Sequence, residues 1–311
     1  MNEFDLIARL TRSLPSNESV VTGPGDDCAV LDLGVPDKLV LFKTDAVVEG
    51  IHFTRETPPE KVGRKALARC LSDIAAMAGT PTAALVTIAL PKDFDVAFVS
   101  QIYEGMKELA EKYQVAIVGG ETTTNPGRIL ISISLLGIVD RDRQILRAGA
   151  KVGDAIFVTG ELGGSLAGKH LDFEPRLEEG RWLAAHFKIH AMLDVSDGLA
   201  GDLRHILNAA KAGAELLKSA LPVSRAARLN AREPGSGQKP AALAALSDGE
   251  DFELLFTVAG KDAVKLLDAW KKKFPQLKLS CIGKIVAGDG IILRDKTSSH
   301  KLAAHGYEHF T

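Results

Sequence analysis

Carboxylates set inside or at the ends of apolar segments constrain this 311-residue chain more than any other feature. GPGDDCAVL carries Asp26 and Asp27, LVLFKTDAVVEG carries Asp45, and LARCLSDIAAMAG carries Asp73. VAIVGGETT carries Glu121, MLDVSDGLAGD carries Asp194 and Asp197, and SDGEDFELLF carries Glu250 and Asp251. A buried, unpaired carboxylate is costly, so the fold must supply each with a partner. Cationic residues are scarce in these stretches, which makes a divalent metal the simplest partner. No His or Cys cluster accompanies the acids, and an oxygen-only donor set selects a hard cation. Magnesium usually takes one or two protein carboxylates together with phosphate oxygens and water. Several separate Asp-bearing loops therefore point to a site that assembles around a phosphate-bearing ligand, as phosphoryl transfer requires. Taken singly, each Asp-Gly or Asp-Asp reads as a turn or a cap. Asp194 and Asp197, for instance, would serve as an N-cap pair before a helix at Leu199. Their recurrence at strand ends across both halves of the chain favours a shared metal site.

Composition narrows the partners. Hydrophobic residues at 46% and charged residues at 25% are ordinary for globular domains, so both halves can bury a core. The length suits two domains of roughly 150 residues. Aromatic residues at 5% and a net charge of −2 exclude a stacking platform for single strands and a polyanionic partner, so no nucleic acid is expected. Cys28, Cys70 and Cys281 form no CxxC pair, which argues against a disulfide framework and against zinc. The start, MNEFDLIARL, has acids and no apolar h-region, and no apolar run approaches the ~20 residues that span a bilayer. A cytoplasmic protein with no membrane partner is expected.

Periodicity predicts helices over 2–14, 59–78 and 96–113, with strands at 28–33, 38–44, 82–90, 115–119 and 129–139. The polar, turn-rich stretch 140–154 is the expected boundary between a 1–140 domain and a 141–311 domain. Beyond it come strands at 155–159, 191–195, 252–258 and 279–285, and helices near 165, at 199–212 and at 262–273. The segment 233–240 reads as a surface loop. There is no GxxxxGK[ST] and no strand–GxGxxG–helix unit. The GELGG loop at 160–164 is expected to pack rather than to bind an anion, although a helix N-terminus there would allow either. ATP use does not follow from spacing.

In order, GDD, TD with VEGIHF, LSDIAAMAG, VGGETT, LRAGAKVGD, DVSDGL, GEDFELLF and GYEHF resemble the thiamine-monophosphate kinase family, over about residues 4–310. LSDIAAMAG alone resembles the wider aminoimidazole ribonucleotide synthetase superfamily; VEGIHF, DVSDGL, GEDFEL and GYEHF narrow it to the kinase. The resemblance implies two α/β domains. The 1–140 domain would dimerise through a sheet that closes a barrel with a second subunit, and would bind metal and ATP. The 141–311 domain would complete the ATP and substrate site in a cleft between domains. It implies in-line transfer from ATP to thiamine monophosphate, giving thiamine diphosphate, with several magnesium ions and potassium as a further candidate. By position, Asp27, Thr44, Asp45, Asp73, Glu121, Asp194 and Asp197 would hold metal. Tyr103, Gly120, Glu121, Arg147 and Ser196 would meet the nucleotide. His52, Glu250 and Tyr307 would line the thiamine phosphate site.

Two departures stand out. Lys43 occupies a position where the family usually has Ser or Thr as a metal contact, and a protonated lysine has no lone pair to offer. Its ammonium would replace one magnesium's charge, or the side chain would point elsewhere. The family's GGDT is GGET here, and the extra methylene of Glu121 shifts a ligating oxygen against magnesium's octahedral demand. A selenophosphate synthetase would carry a Cys in an N-terminal glycine-rich segment, and a hydrogenase-maturation dehydratase a cysteine tail; this chain has neither. A non-catalytic paralogue that binds without transfer is the remaining alternative, supported only by Lys43 and Glu121.

Overall fold

The computed structural model describes residues 3–231 and 239–302. The chain forms two units: Glu18–Gln144 with His170–Arg181, and Met1–Asn17 with Ile145–Lys169 and Trp182–Thr311. The opening helix α1 (Glu3–Thr11) falls in the second of these.

In the first unit the elements run β1 (Val20–Thr22), β2 (Ala29–Leu31), β3 (Lys38–Val48), α2 (Pro59–Ala76), β4 (Thr80–Leu90), α3 (Val96–Lys112), β5 (Ala116–Thr124) and β6 (Leu130–Asp140). They make a six-stranded sheet in the order β1-β2-β3-β6-β4-β5, antiparallel except for the β4–β5 pair. Strand alternation gives the sheet two faces. Leu39, Leu41, Ile131, Ile133 and Leu135 are buried on the face that carries α2, whose Leu67, Leu71 and Ile74 are fully buried. Phe42, Leu85 and Leu136 lie on the opposite face and are exposed. Two glycines set the spacing of α2 and α3. A Cβ at Gly63 would stand 1.8 Å from the Ile102 carbonyl oxygen, and one at Gly105 would stand 1.9 Å from that of Glu60. The helices therefore meet backbone to backbone.

The second unit contains β7 (Asp154–Thr159), β8 (Ile189–Asp194), α6 (Leu199–Ala210), β9 (Gly213–Leu217), α7 (Arg225–Asn230), α8 (Ala241–Ser247), β10 (Leu254–Ala259), α9 (Ala263–Lys273), β11 (Leu279–Val286), β12 (Gly290–Arg294) and β13 (Ser299–Lys301). Two short helices, α4 (Lys169–Asp172) and α5 (Leu177–His186), occupy the segment where the chain leaves this unit and returns. The sheet order is β13-β12-β9-β11-β7-β10-β8, with only β12–β9 parallel. Its core joins Ile156, Val158, Leu193, Leu203, Ile206 and Leu255 in one buried cluster.

Most expected elements form within a few residues of their expected ends. β5 differs: it runs on through Gly119, Gly120 and Glu121 to Thr124 as an exposed edge strand. β10 begins at Leu254 rather than 252, because Glu250 and Phe252 adopt left-handed backbone (φ 63° and 51°). Near Ser165 only a single 3₁₀ turn forms before α4. β1, β9, β12, β13, α5, α7 and α8 were not anticipated. No described helix is long and apolar enough to cross a membrane.

Candidate metal and phosphate site

In the first unit, alternation along β3 turns Lys43 and Asp45 toward α2, the same way as Leu39 and Leu41. Asp73 lies on α2, four residues after Arg69, so the two share a helix face. The two elements exchange ion pairs. Lys43 Nζ donates to Asp73 Oδ1 at 3.0 Å, and Arg69 Nε donates to Asp45 Oδ2 at 3.1 Å. Asp27, 2% exposed, sits just before β2. A carboxylate oxygen of Asp27 and one of Asp73 lie within 4.8 Å of each other. Two buried oxygen donors at that spacing fit a shared hard cation such as magnesium. Burial works against the Lys43 charge, but the carboxylates of Asp73 and Asp45 outweigh it and hold its pKa well above the ordinary value. Lys43 is thus a fixed cation inside the acidic group. Of the two possibilities its sequence position left open, pointing elsewhere is eliminated.

The remaining expected residues of this unit fall in four places. Thr44 takes the opposite face of β3, where its hydroxyl pairs with those of Ser134 (3.3 Å) and Ser132 (3.4 Å). Alternation therefore separates its hydroxyl from the Asp45 carboxylate. Glu121 is exposed on β5 in register with Thr87, and Tyr103 is half-buried on α3. Gly120 has φ 156°, and a Cβ there would stand 1.7 Å from the Val86 carbonyl oxygen, so its backbone approach is to β4. His52 ends the turn after β3. Val48 N–H donates to His52 Nδ1 at 3.0 Å, which leaves Nε2 as the proton-bearing nitrogen of the neutral ring. The His52 carbonyl accepts from Lys65 Nζ at 2.8 Å. Lys65 was not anticipated. It is only 1% exposed, and its one sequence signal is a lysine at a core position of the α2 stripe.

In the second unit, Asp194 closes β8 and Asp197 follows in the turn. The capping reading fails here. The N-cap of α6 is Gly198, with no side-chain cap bond. Instead Asp197 N–H donates to Asp202 Oδ2 at 3.0 Å. Asp202, on α6, was also missed as a site residue. Its pKa is raised by burial and then by Asp197 and Asp194, while the Asp197 N–H and Arg147 act in the opposite sense. Ser196 and Glu250 are tied by backbone: Glu250 N–H donates to the Ser196 carbonyl at 2.7 Å, and Phe252 N–H to that of Val195 at 2.7 Å. Ser165 Oγ donates to the Glu250 carbonyl at 2.5 Å. The left-handed backbone at 250 and 252 is held by this lattice of bonds. Tyr307 lies outside the described residues.

Not every acid is poised for a ligand. Asp251 and Glu253 are fully buried and paired within the chain, although Asp251 Oδ1 accepts no hydrogen bond and has only Lys169 Nζ near it, at 3.7 Å. Gly163 N–H donates to Asp251 Oδ2 at 2.8 Å, Gly164 N–H donates to Asp248 Oδ2 at 2.9 Å, and Lys169 Nζ donates to Glu253 Oε1 at 2.9 Å. The GELGG loop thus binds the protein's own carboxylates, as the packing reading expects. Burial nevertheless pushes the Asp251 pKa up to about 7 against the pull of Lys169 and the Gly163 N–H. An open cavity of about 850 Å³ in this unit is lined by Arg204, Asn208, Lys211, Asp289 and Lys301. None of these belongs to the carboxylate motifs.

Comparison with known proteins places the chain in a family. Residues 25–139 match the family model "AIR synthase related protein, N-terminal domain", and residues 151–296 match the corresponding C-terminal domain. The chain is 42% identical over 307 residues to a thiamine-monophosphate kinase of Rhodopirellula baltica, covering 96% of this chain and 93% of that one. It is 34% identical over 336 residues to the thiamine-monophosphate kinase of Bacillus subtilis, with 100% of both chains covered. Among solved structures it resembles AaThiL complexed with AMPPCP and TMP, with a TM-score of 0.81 and 30% identity over 99% of this chain and 97% of that one.

Proposed function

The chain belongs to the thiamine-monophosphate kinase family, and on that footing we propose that it transfers the γ-phosphoryl group of ATP to thiamine monophosphate, giving thiamine diphosphate and ADP. One observation carries the choice of substrates: the full-length likeness to a kinase whose solved structure holds AMPPCP, an ATP analogue, together with TMP.

In this reading Asp27 and Asp73 hold magnesium in the first unit, with Asp45 beside them. Asp194 and Asp197 are the metal-holding carboxylates of the second. Bound there, magnesium would neutralise charge on the transferred phosphoryl group and help align ATP with the acceptor. The chain's own residues do the rest. Arg147 offers a fixed cationic fork for ATP phosphates, which matches phosphate geometry better than a lysine would. Gly120, Tyr103 and Ser196 border the nucleotide. His52, oriented by the Val48 N–H, presents its Nε2 proton as a donor to the acceptor phosphate. Glu250, fixed by Ser165 and Ser196, lines the thiamine side with Tyr307. No protein nucleophile is required, and transfer is direct. Glu121 holds metal only if its exposed strand segment closes on a ligand. Potassium remains a candidate monovalent ion. The exposed sheet face bearing Phe42, Leu85 and Leu136 supports a homodimer joined through the first unit.

The deciding experiment is thiamine diphosphate formation from ATP, thiamine monophosphate and magnesium. Absence of product across a range of magnesium and potassium concentrations would sink the reading.

A further inference from the structure

We propose that the Lys43 ammonium takes the place of a divalent ion on Asp73, so that this kinase loads one metal ion fewer than its carboxylates could otherwise hold. The inference rests on the magnesium-dependent reading above and concerns how many ions that reading requires here.

Three observations carry it. First, the Lys43 side chain turns toward the acids. It lies 3.0 Å from Asp73 Oδ1, with the ion pair largely shielded from water (22% and 9% exposed). Second, the neighbouring carboxylate is treated in the same way. Arg69 Nε lies 3.1 Å from Asp45 Oδ2, with side chains 14% and 26% exposed. Asp27, Asp45 and Asp73 therefore face two built-in positive charges, and the group needs less added charge to be neutral. Third, two cations on one oxygen would repel each other. A magnesium ion bound to Asp73 Oδ1 at about 2.1 Å would stand within about 5 Å of the ammonium. In a partly dry site that repulsion is screened far less than in water.

The chemistry differs in kind as well as in number. An ammonium is a point charge with three donors that needs no loading from solution. Part of the positive charge around the transferred phosphoryl group is thus covalently attached and independent of magnesium concentration. Lys43→Ser should return the position to an oxygen donor and re-open it to metal.

The test counts ions on the full-length protein saturated with AMPPCP, using Mn²⁺ and electron paramagnetic resonance to resolve free from bound metal. Lys43→Ser is expected to bind one more Mn²⁺ per chain than the unmodified protein, and Lys43→Arg, which keeps the charge, to bind the same number as the unmodified protein. Equal counts for the unmodified protein and Lys43→Ser would overturn the proposal. If Lys43→Ser does not fold, anomalous diffraction from Mn²⁺-soaked crystals of the unmodified protein decides. Lys43 Nζ is expected to remain hydrogen-bonded to Asp73 Oδ1, with no ion on that oxygen. An ion coordinated there, with the ammonium displaced, would overturn it. Thiamine diphosphate formation is assayed separately, so a failed substrate assignment leaves the ion count readable.

Discussion

Asp251 is a carboxyl group whose surroundings favour its proton. The folded chain holds that proton up to about pH 7, whereas an ordinary carboxyl loses it near pH 3.9. The folded state therefore binds more protons than the unfolded state between about pH 4 and pH 7. The contribution of Asp251 is full below about pH 4 and is lost as pH rises through that window. Asp251→Asn should flatten the decline of melting temperature between those limits, as read by calorimetry across pH. Asp73 combines two roles that the sequence did not reveal together. Asp73→Asn should lower phosphoryl transfer by at least about a hundredfold, because a metal ligand is lost. It should also cost about 3 kcal/mol of stability, because the buried Lys43 loses its carboxylate. Adding Lys43→Met should recover much of that stability without recovering transfer, which denaturant titration and the product assay would separate. The acids were legible in the sequence because they interrupt apolar runs. Their pairings were not, although Lys43 stood out as a cation at the site. Lys43 lies 30 residues from Asp73, Arg69 lies 24 from Asp45, and Lys169 lies 84 from Glu253. Spacing along the chain carries no trace of pairs made by packing, so the apparent shortage of bases was a shortage of nearby ones only.

Among elements, α2 has the most to hold in place. It carries Asp73, Arg69 and the buried Lys65, and its position is set by backbone contact with α3 at Gly63 and Gly105. Gly63→Ala would drive a methyl to within 1.8 Å of the Ile102 carbonyl oxygen, so the helices must separate. The expected loss is about 3 kcal/mol, toward the upper end for overpacking, with a fall in activity larger than the unfolded fraction explains. Thermal melts and the product assay on the same sample would show both. Long, strongly periodic elements such as α2, α3, β4 and β6 were readable from their apolar spacing. β5 was truncated in the reading because Gly119 and Gly120 resemble a loop, and an exposed edge strand has no buried face to announce it. β9, β12 and α8 are short and depend on tertiary partners, so local pattern does not mark them. The separation of Thr44 from Asp45, by contrast, was implicit in strand alternation.

For the whole molecule, the exposed apolar face of the six-stranded sheet leads to a prediction about assembly. Leu136→Glu, directly opposite Phe42 on the neighbouring strand, should halve the mass seen by analytical ultracentrifugation if this face joins two copies. A mass unaffected by the change would place the interface elsewhere or show the chain to be a monomer. The passage of the chain between its units has a further consequence, one for synthesis. The first unit is completed by residues 170–181, and the second recruits the opening helix α1 and ends only with the last strands. Neither unit is a contiguous stretch, so no single cut releases either one whole. On the ribosome the leading residues must wait for most of the chain before their unit can close, and the first sheet emerges well before its final segment. Folding of this kinase is thus tied to completion of the polypeptide rather than proceeding strictly one domain after another.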